Sequence, residues 1–345
     1  MFHINFKYGS FFYKKLGKSN IKLPKLGFGA APLGELFEKV SEEQSSQTLN
    51  TSYDSGFRYY DTAPWYGHGL SEHRIGSLLR NKLREEYIIS SKVGRVYKPF
   101  KEDYKKFNRS PWVGGLNFQY KFDYTYSGFE RSFEDSTCRL GINQIDLLVI
   151  HDLDNDYHGD LLSNKFKELE SGFIWLKSMR DLGHIKAIGV GINDAQLMSI
   201  FYKNYDIDFF LVAMPYTLIN QETLDEIFPE CKKRGIGIII GAPFSSGILA
   251  TGVTNNAKYN YRKPSKFIVT KVNSINNICD KHNVPLKAAA IQFPLFHPLV
   301  TTVIPGMLNP DQVKENILMM QYDIPIKFWH ELKNLNLIHP DSPIS

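Results

Sequence analysis

The chain has 345 residues, of which 43% are hydrophobic and 22% are charged, proportions typical of a soluble globular protein with a large core. Its formal net charge of +5 is spread along the sequence, and the densest basic groups are short, such as Lys232-Lys233-Arg234. Binding to nucleic acid normally needs clustered cations, so no nucleic-acid partner is expected. The three cysteines lie far apart, and no apolar run is long enough to cross a membrane. We therefore expect a cytoplasmic protein without membrane association.

Short apolar runs alternate along the chain with longer segments of helical spacing, which is the pattern of parallel strands connected by helices. The predicted strands are 23–30, 57–63, 87–94, 145–152, 185–192, 209–216, 236–244 and 300–306. The predicted helices are 41–54, 71–83, 127–140, 165–182, 194–203, 221–234, 267–283 and 309–318. Eight such pairs is the number that closes a (β/α)8 barrel of the TIM type. The prediction is an α/β protein with a single domain over 1–345.

Two segments do not follow this alternation. Residues 11–29 resemble a β-hairpin that turns at 17–20, and we expect it to close the bottom of the barrel. Residues 95–126 lack a helical period and are rich in aromatic side chains. Because aromatic content of this kind disfavours disorder, we predict a long ordered loop after the third strand.

In a parallel barrel, reactive side chains come from the C-terminal ends of the strands. Asp61, Lys92 and His151 end the second, third and fourth predicted strands, and Tyr66 follows in the loop after the second. A lysine stabilises a nearby phenolate, a carboxylate holds the lysine in place, and a histidine can orient a substrate oxygen. The four residues together predict proton transfer at an alcohol or carbonyl oxygen, with a nicotinamide cofactor exchanging the hydride.

Each of these residues also has an ordinary structural interpretation, and it is their shared position at the strand ends that favours a reaction. Other chemistry has less support. The glycines of 27–32 and 189–194 do not complete the dinucleotide fingerprint G-x-G-x-x-G. His68 and His73 lie five residues apart, across a loop and a helix start, so no metal site is expected.

Four motifs, in this order, resemble the aldo-keto reductase superfamily: YYDTAPWYGHGLSEHRIG, SSKVG, RSFEDSTCRLGINQIDLLVIHDLD and IPGMLNPDQVKEN. The resemblance extends from about residue 11 to about residue 320, and it places the catalytic tetrad of that superfamily on Asp61, Tyr66, Lys92 and His151. The stretches FDYTYSGFERSFEDS, IHDLDNDYHGD and GAPFSSGILATG resemble a narrower branch. That branch contains dehydrogenases of L-fucose, D-arabinose and L-galactose, and the pyridoxal 4-dehydrogenases.

The resemblance implies oxidation of a cyclic hemiacetal carbon to a lactone, with hydride passing to NAD(P)+. Tyr66 would be the general base, Lys92 would lower its pKa while paired with Asp61, and His151 would position the substrate oxygen. A pyridoxal dehydrogenase or a general aldehyde reductase remains an alternative. A non-catalytic module that senses the cofactor is a hypothesis from another class, and the intact tetrad argues against it.

The resemblance also implies the contacts to the cofactor. These are Gly29, Ala30, Asn193, Tyr216, Ala242, Pro243, Phe244, Ser245, Gly247, Leu249, Gly306, Met307, Gln312, Glu315 and Asn316. Gly306 and Gln312 stand where many NADPH-preferring relatives carry cations, which favours NAD, although Lys314 leaves NADP open. Ala213 stands where the family often has a glutamine for the nicotinamide amide.

The expected substrate is a small sugar or an aldehyde. Trp65, Tyr124, Tyr126 and Asp152 are the predicted substrate contacts. Aromatic faces suit both the C–H face of a sugar and a pyridine ring, so they do not distinguish the two substrate classes. A monomer or a small homo-oligomer is expected.

Overall fold

Eight parallel strands form the centre of the molecule in a computed structural model that describes residues 12–345. The described residues contain twelve strands in all: β1 (Tyr13–Lys15), β2 (Lys22–Pro24), β3 (Phe28–Gly29), β4 (Tyr59–Asp61), β5 (Ile88–Val93), β6 (Arg95–Pro99), β7 (Phe118–Phe122), β8 (Leu147–His151), β9 (Ala187–Ile192), β10 (Phe209–Val212), β11 (Gly237–Gly241) and β12 (Val300–Ile304). The main sheet has the order β3-β4-β5-β8-β9-β10-β11-β12. Parallel bridges from Leu26 to Val303 and from Gly29 to Gly306 join its two edges. The predicted (β/α)8 barrel is therefore confirmed.

Helices surround this sheet. They are α1 (Glu42–Asp54), α2 (Leu70–Leu79), α3 (Tyr126–Leu140), α4 (Asn155–His158), α5 (Leu162–Asp181), α6 (Ala195–Asn204), α7 (Ile227–Arg234), α8 (Ile248–Thr251), α9 (Lys266–His282), α10 (Leu286–Gln292), α11 (Pro310–Gln321) and α12 (Ile326–Asn334). All eight predicted helices are present, and α4, α8, α10 and α12 are additional. Ser41 Oγ accepts a hydrogen bond from Gln44 N and caps the start of α1, within one residue of the predicted helix 41–54. None of the helices described over residues 12–345 is long and apolar enough to cross a membrane.

The β1–β2 hairpin closes the bottom of the barrel, as predicted for the part of 11–29 that the structure describes; residue 11 lies outside the described residues. Leu16, Ile21 and Leu23 belong to the same buried cluster as side chains from the barrel strands. Gly17 has a φ of +52°, and a Cβ at this position would collide with backbone atoms of Gly235 and Gly237. The turn therefore needs glycine, both for its backbone conformation and for its close contact with β11.

The segment 95–126 follows the third barrel strand, as predicted, but the antiparallel pair β6–β7 forms its base. Its tip is held against the C-terminal face of the barrel by backbone hydrogen bonds. Val113 N donates to Glu35 O at 2.9 Å, and Leu116 N donates to Gly67 O at 2.9 Å. Gly67 directly follows Tyr66, so this segment is fixed to the loop that carries one of the candidate catalytic residues.

Candidate active site

An ion pair between Asp61 and Lys92 lies at the C-terminal ends of β4 and β5. Lys92 Nζ is 2.8 Å from Asp61 Oδ2 and also donates to Thr62 O at 2.8 Å. Asp61 Oδ1 accepts a hydrogen bond from Ser90 Oγ at 2.6 Å. Both charged side chains are almost fully buried. Because each charge has partners at hydrogen-bond distance, the pair is fixed in position and has no net charge.

Tyr66 lies beside this pair, in the loop after β4. Its ring centroid is 4.5 Å from Lys92 Nζ and 6.1 Å from the ring of His151. Burial raises the pKa of the Tyr66 hydroxyl well above its ordinary value, and the charge of Asp61 raises it further. The sequence interpretation had the opposite direction, with Lys92 lowering this pKa. The direction differs because Asp61 offsets the charge of Lys92, so loss of hydration dominates and the phenol stays protonated at neutral pH.

His151, the last residue of β8, is held as a neutral imidazole. Burial lowers its pKa well below the ordinary value, and the charges of Arg95 and Lys92 lower it further. Its Nδ1 lies 3.1 Å from Arg95 Nη1, and its Nε2 lies 3.5 Å from Asp152 Oδ1. The structure thus brings Asp61, Tyr66, Lys92 and His151 together at one mouth of the barrel.

Arg95 is a site residue that the sequence interpretation missed. It begins β6 directly after Gly94, is 2% exposed, and donates from Nη2 to Asp152 Oδ2 at 2.7 Å. Its guanidinium carbon lies 4.7 Å from the ring centroid of Trp65 and 4.5 Å from that of Phe122. The available signal was a cation directly after the strand that carries Lys92, followed by an aromatic segment.

Three aromatic side chains, Trp65, Trp112 and Tyr157, form a wall beside the tetrad. The Trp65 ring centroid lies 5.2 Å from that of Trp112, 5.6 Å from that of Tyr157 and 6.2 Å from that of His151. Trp112 Nε1 is buried and has no hydrogen-bond partner among residues 12–345. Trp65, a predicted substrate contact, therefore lies beside the tetrad, and Trp112 belongs to the aromatic segment 95–126. Tyr157 was missed because it lies in the short helix α4.

The other three predicted substrate contacts lie in different parts of the structure, and only Asp152 is at the mouth of the barrel. Asp152, 7% exposed, lies at the mouth beside His151. Tyr124 is fully buried, and its hydroxyl donates to His151 O at 2.8 Å, so it supports the end of β8 rather than offering a surface to a substrate. Tyr126 is 44% exposed at the start of α3, where its N–H donates to Ser171 Oγ of α5. These contacts place Tyr124 behind the mouth and Tyr126 in the helix layer, contrary to the prediction for both.

The start of α11 has features that suit the adenosine end of a dinucleotide. Asn316 is 1% exposed, yet neither atom of its amide has a hydrogen-bond partner within the described residues 12–345. A buried amide without partners is costly, so it fits a ligand group that supplies a donor and an acceptor. Glu315 pairs with Lys287 of α10, a cation that the sequence interpretation missed. Gln312 Oε1 accepts from Leu308 N at 2.7 Å and is engaged by its own loop.

The loop after β11 is compact. The N–H groups of Ser245 and Gly247 donate to Ala242 O and Phe244 O, and Leu249 N also donates to Phe244 O. These three N–H groups stabilise the turn, so they are already used as donors within the loop. Phe244 has its ring 5.3 Å from Lys287 Nζ, which brings this loop close to the start of α11.

Several predicted cofactor contacts are enclosed by the protein itself. Tyr216 is fully buried, with its ring packed against Phe228, Phe293 and His297. It lies in the helix layer and presents no surface to a cofactor, contrary to the prediction. The fully or largely buried residues in the remaining set are Gly29, Ala30, Pro243 and Met307; Asn193, Ala242 and Gly306 are half-buried at the strand ends. Ala30 N donates to Asp61 O, so this backbone supports the tetrad.

Comparison with known proteins agrees with this description. A model of the Aldo/keto reductase family matches residues 25–337. The pyridoxal 4-dehydrogenase of Microbacterium luteolum is 38% identical over 334 residues, which cover 94% of this chain and 97% of that protein. The D-threo-aldose 1-dehydrogenase of a Pseudomonas species is 36% identical over 331 residues, which cover 93% of this chain and 96% of that protein. The holo structure of an aldo-keto reductase from Bacillus halodurans superposes with a TM-score of 0.72 at 21% identity, covering 94% of this chain and 95% of that one.

These likenesses define an oxidoreductase built on a (β/α)8 barrel that acts on small molecules. The chain belongs to the aldo/keto reductase family, whose members use NAD(P)H.

Proposed function

We propose that this protein is an NAD(P)-dependent dehydrogenase that oxidises the hemiacetal carbon of a cyclic aldose, of the L-fucose, D-arabinose or L-galactose type, to a lactone. The observation that carries the proposal is the pair of polar groups at the mouth, His151 Nε2 and Asp152 Oδ1, which lie 3.5 Å apart beside Trp65. The histidine can donate to the oxygen on the reacting carbon. The carboxylate can accept from a hydroxyl on the adjacent carbon, while the indole contacts the C–H face of the ring.

The chemical step removes one proton and one hydride from the hemiacetal carbon and its hydroxyl. In its phenolate form Tyr66 accepts the hydroxyl proton, and His151 hydrogen-bonds the same oxygen as the C=O bond of the lactone forms. An oxidised nicotinamide, when bound, would supply the hydride acceptor and a positive charge at the site. A positive charge lowers the pKa of a nearby phenol, and this offsets the effect of burial on Tyr66. Lys92 and Asp61 keep their fixed, neutral arrangement throughout.

Pyridoxal is the second candidate substrate. The identity of 38% to a pyridoxal 4-dehydrogenase supports it, and so do the flat aromatic faces of Trp65 and Trp112. Pyridoxal also closes to an internal hemiacetal and carries a hydroxyl on the adjacent ring carbon, so the same polar pair could bind it. A general aldehyde reductase, working in the opposite direction, would use the same four residues.

NAD is the proposed cofactor, with NADP as the alternative. Two cations near the start of α11 bear on this choice. Lys287 is already paired with Glu315, and Lys314 is 64% exposed and 3.9 Å from Asp311. A ribose 2′-phosphate would have to compete for a paired lysine or order an exposed one, and both cost free energy.

The test is absorbance of reduced nicotinamide, measured with NAD+ and NADP+ separately against L-fucose, D-arabinose, L-galactose and pyridoxal. Turnover of a sugar with NAD+, absent in Tyr66→Phe and retained in Tyr13→Phe at the opposite end of the barrel, is the expected result. Turnover of pyridoxal alone would replace the aldose by the second candidate. Tight cofactor binding with no turnover of any substrate would favour the sensing module. A cytoplasmic location and a monomer or small homo-oligomer stay predictions.

A further inference from the structure

Arg95 joins two neighbouring residues of the active site. Its Nη1 lies 3.1 Å from His151 Nδ1, and its Nη2 lies 2.7 Å from Asp152 Oδ2. A guanidinium can only donate hydrogen bonds, so Nδ1 must accept and therefore carries no hydrogen. In a neutral imidazole the hydrogen then resides on Nε2, the nitrogen that lies 3.5 Å from Asp152 Oδ1.

We propose that Arg95 is a positioning residue of this active site, which holds His151 in the tautomer with hydrogen on Nε2 and holds the Asp152 carboxylate beside it. The proposal rests on the proposed function in one respect, namely that His151 Nε2–H meets the substrate oxygen. Arg95 itself touches neither the hydroxyl of Tyr66 nor a reacting atom. It acts through His151 and Asp152, which follow one another at the end of β8.

The surroundings of Arg95 keep its guanidinium in a single orientation. Four aromatic rings lie around it, with guanidinium-carbon-to-centroid distances of 4.5 to 5.2 Å; they belong to Trp65, Tyr120, Phe122 and Tyr157. A planar, delocalised cation stacks on such faces while two of its N–H groups point in fixed directions. A lysine ammonium has no fixed fork, so it keeps the charge but loses the geometry that selects the tautomer.

The charges around His151 agree with this role. The groups that face it are Arg95 from β6, Lys92 from β5, Asp152 at the end of its own strand and Tyr66 from the loop after β4. The two cations disfavour the imidazolium, whereas Asp152 would favour it if its charge were free. By pairing with Asp152, Arg95 removes that opposing influence and keeps the imidazole neutral.

The alternative is that the ion pair only ties β6 to β8. Histidine labelled with 15N separates the two roles, because long-range nitrogen–proton correlations distinguish a hydrogen on Nε2 from one on Nδ1. His151→Gln identifies the His151 signals. We expect the wild-type protein to show hydrogen on Nε2 of His151. Arg95→Met should show a mixture of His151 tautomers, or an imidazolium, between pH 5 and 7. In Arg95→Lys the His151 imidazole should stay neutral, with a partial mixture of the two tautomers.

Turnover supplies the second measurement. Arg95→Met should lower kcat by about 10²-fold, the loss expected when a group that hydrogen-bonds the reacting oxygen is misplaced. Arg84→Met is the matched control, since Arg84 pairs with the buried Asp146 at 2.7 Å near the starts of β5 and β8. It should lose stability without any change in the His151 signals or in kcat.

The tautomer is measured without substrate, so it decides the proposal even if every sugar and pyridoxal fail as substrates. Hydrogen on Nδ1 in the wild type, or an unchanged tautomer in Arg95→Met, would overturn it. If Arg95→Met does not fold because Asp152 is left unpaired, Arg95→Met combined with Asp152→Asn removes both charges and carries the same test.

Discussion

Replacing Lys92 by methionine should destabilise the protein, because it leaves the charge of Asp61 buried and without its cation. Lys92 Nζ and Asp61 Oδ2 are 2.8 Å apart, and the two side chains are 1% and 3% exposed. Removing one partner of such a pair costs about 3–5 kcal/mol of unfolding free energy. With an unfolding entropy of about 2.1 cal/mol/K per residue, a chain of 345 residues has about 0.7 kcal/mol/K, so the Tm should fall by about 4–7 °C.

The combination of Lys92→Met with Asp61→Asn separates the charge from the contact. It removes both charges and leaves an amide that can still accept the hydrogen bond from Ser90 Oγ. Stability should therefore recover to within about 1–2 kcal/mol of the wild type, the cost of a hydrogen bond or two. Turnover of the double variant then measures whether the Lys92 ammonium, 4.5 Å from the Tyr66 ring centroid, contributes to the reaction beyond its pairing with Asp61.

Thermal unfolding followed by circular dichroism gives the stabilities. Lys177→Met is the matched control, since Lys177 and Asp181 form a 2.6 Å pair with both side chains 54% exposed. An exposed pair of this kind contributes at most about 0.5 kcal/mol. Equal stability of the single and the double Lys92 variants would refute the reasoning, and so would a loss in Lys92→Met no larger than in Lys177→Met.

Three further predictions concern the reaction and the cofactor. Tyr66→Phe should abolish turnover while cofactor affinity, measured by quenching of tryptophan fluorescence, stays within about twofold; measurable turnover would contradict the assignment of Tyr66 as the base. Because the pKa of Tyr66 is raised, kcat/KM for oxidation should increase between pH 6 and pH 9 as more phenolate forms. The value of kcat/KM for reduction should stay constant over the same range. A fall in kcat/KM for oxidation between pH 6 and pH 9 would contradict this prediction. Asn316→Ala should weaken cofactor binding by about tenfold with kcat at saturation unchanged, and equal affinity would show that its amide does not meet the cofactor.

The barrel, and the convergence of the four candidate catalytic residues at one end of it, could be predicted because both depend on local patterns. Each apolar run ends at a residue whose position at the C-terminal face follows from the topology alone, which is why Asp61, Lys92 and His151 converge. Arg95 could not be placed in the same way. Its position depends on β6 pairing with β7 at the base of the 95–126 segment, where Arg95 lies opposite Phe122, a contact that no local pattern encodes.

Tyr216 shows a different limit. The sequence extends the sixth barrel strand to residue 216, but the ladder of β10 ends at Val212. Alternation of side chains between the two faces holds only within a strand, so beyond Val212 the direction of a side chain no longer follows from its parity. The apolar stretch that continues past the strand is a buried loop, and periodicity does not distinguish a buried loop from a strand. The predicted contact between Tyr216 and the cofactor depended on that distinction.

The two ion pairs of the site explain its protonation state together. The charge of Asp61 offsets that of Lys92 beside Tyr66, and the charge of Asp152 offsets that of Arg95 beside His151. Burial is therefore the main influence on the pKa values of Tyr66 and His151. The pKa of Tyr66 is raised and that of His151 is lowered, which leaves a phenol and a neutral imidazole at neutral pH. Two neutral donors suit the protonation of a carbonyl oxygen, the reductive direction. Oxidation needs the phenolate, and with both ion pairs neutral the protein supplies no free positive charge to stabilise it. Under the proposed function that positive charge would arrive with the oxidised cofactor, so the direction of proton transfer would follow from the cofactor form that is bound.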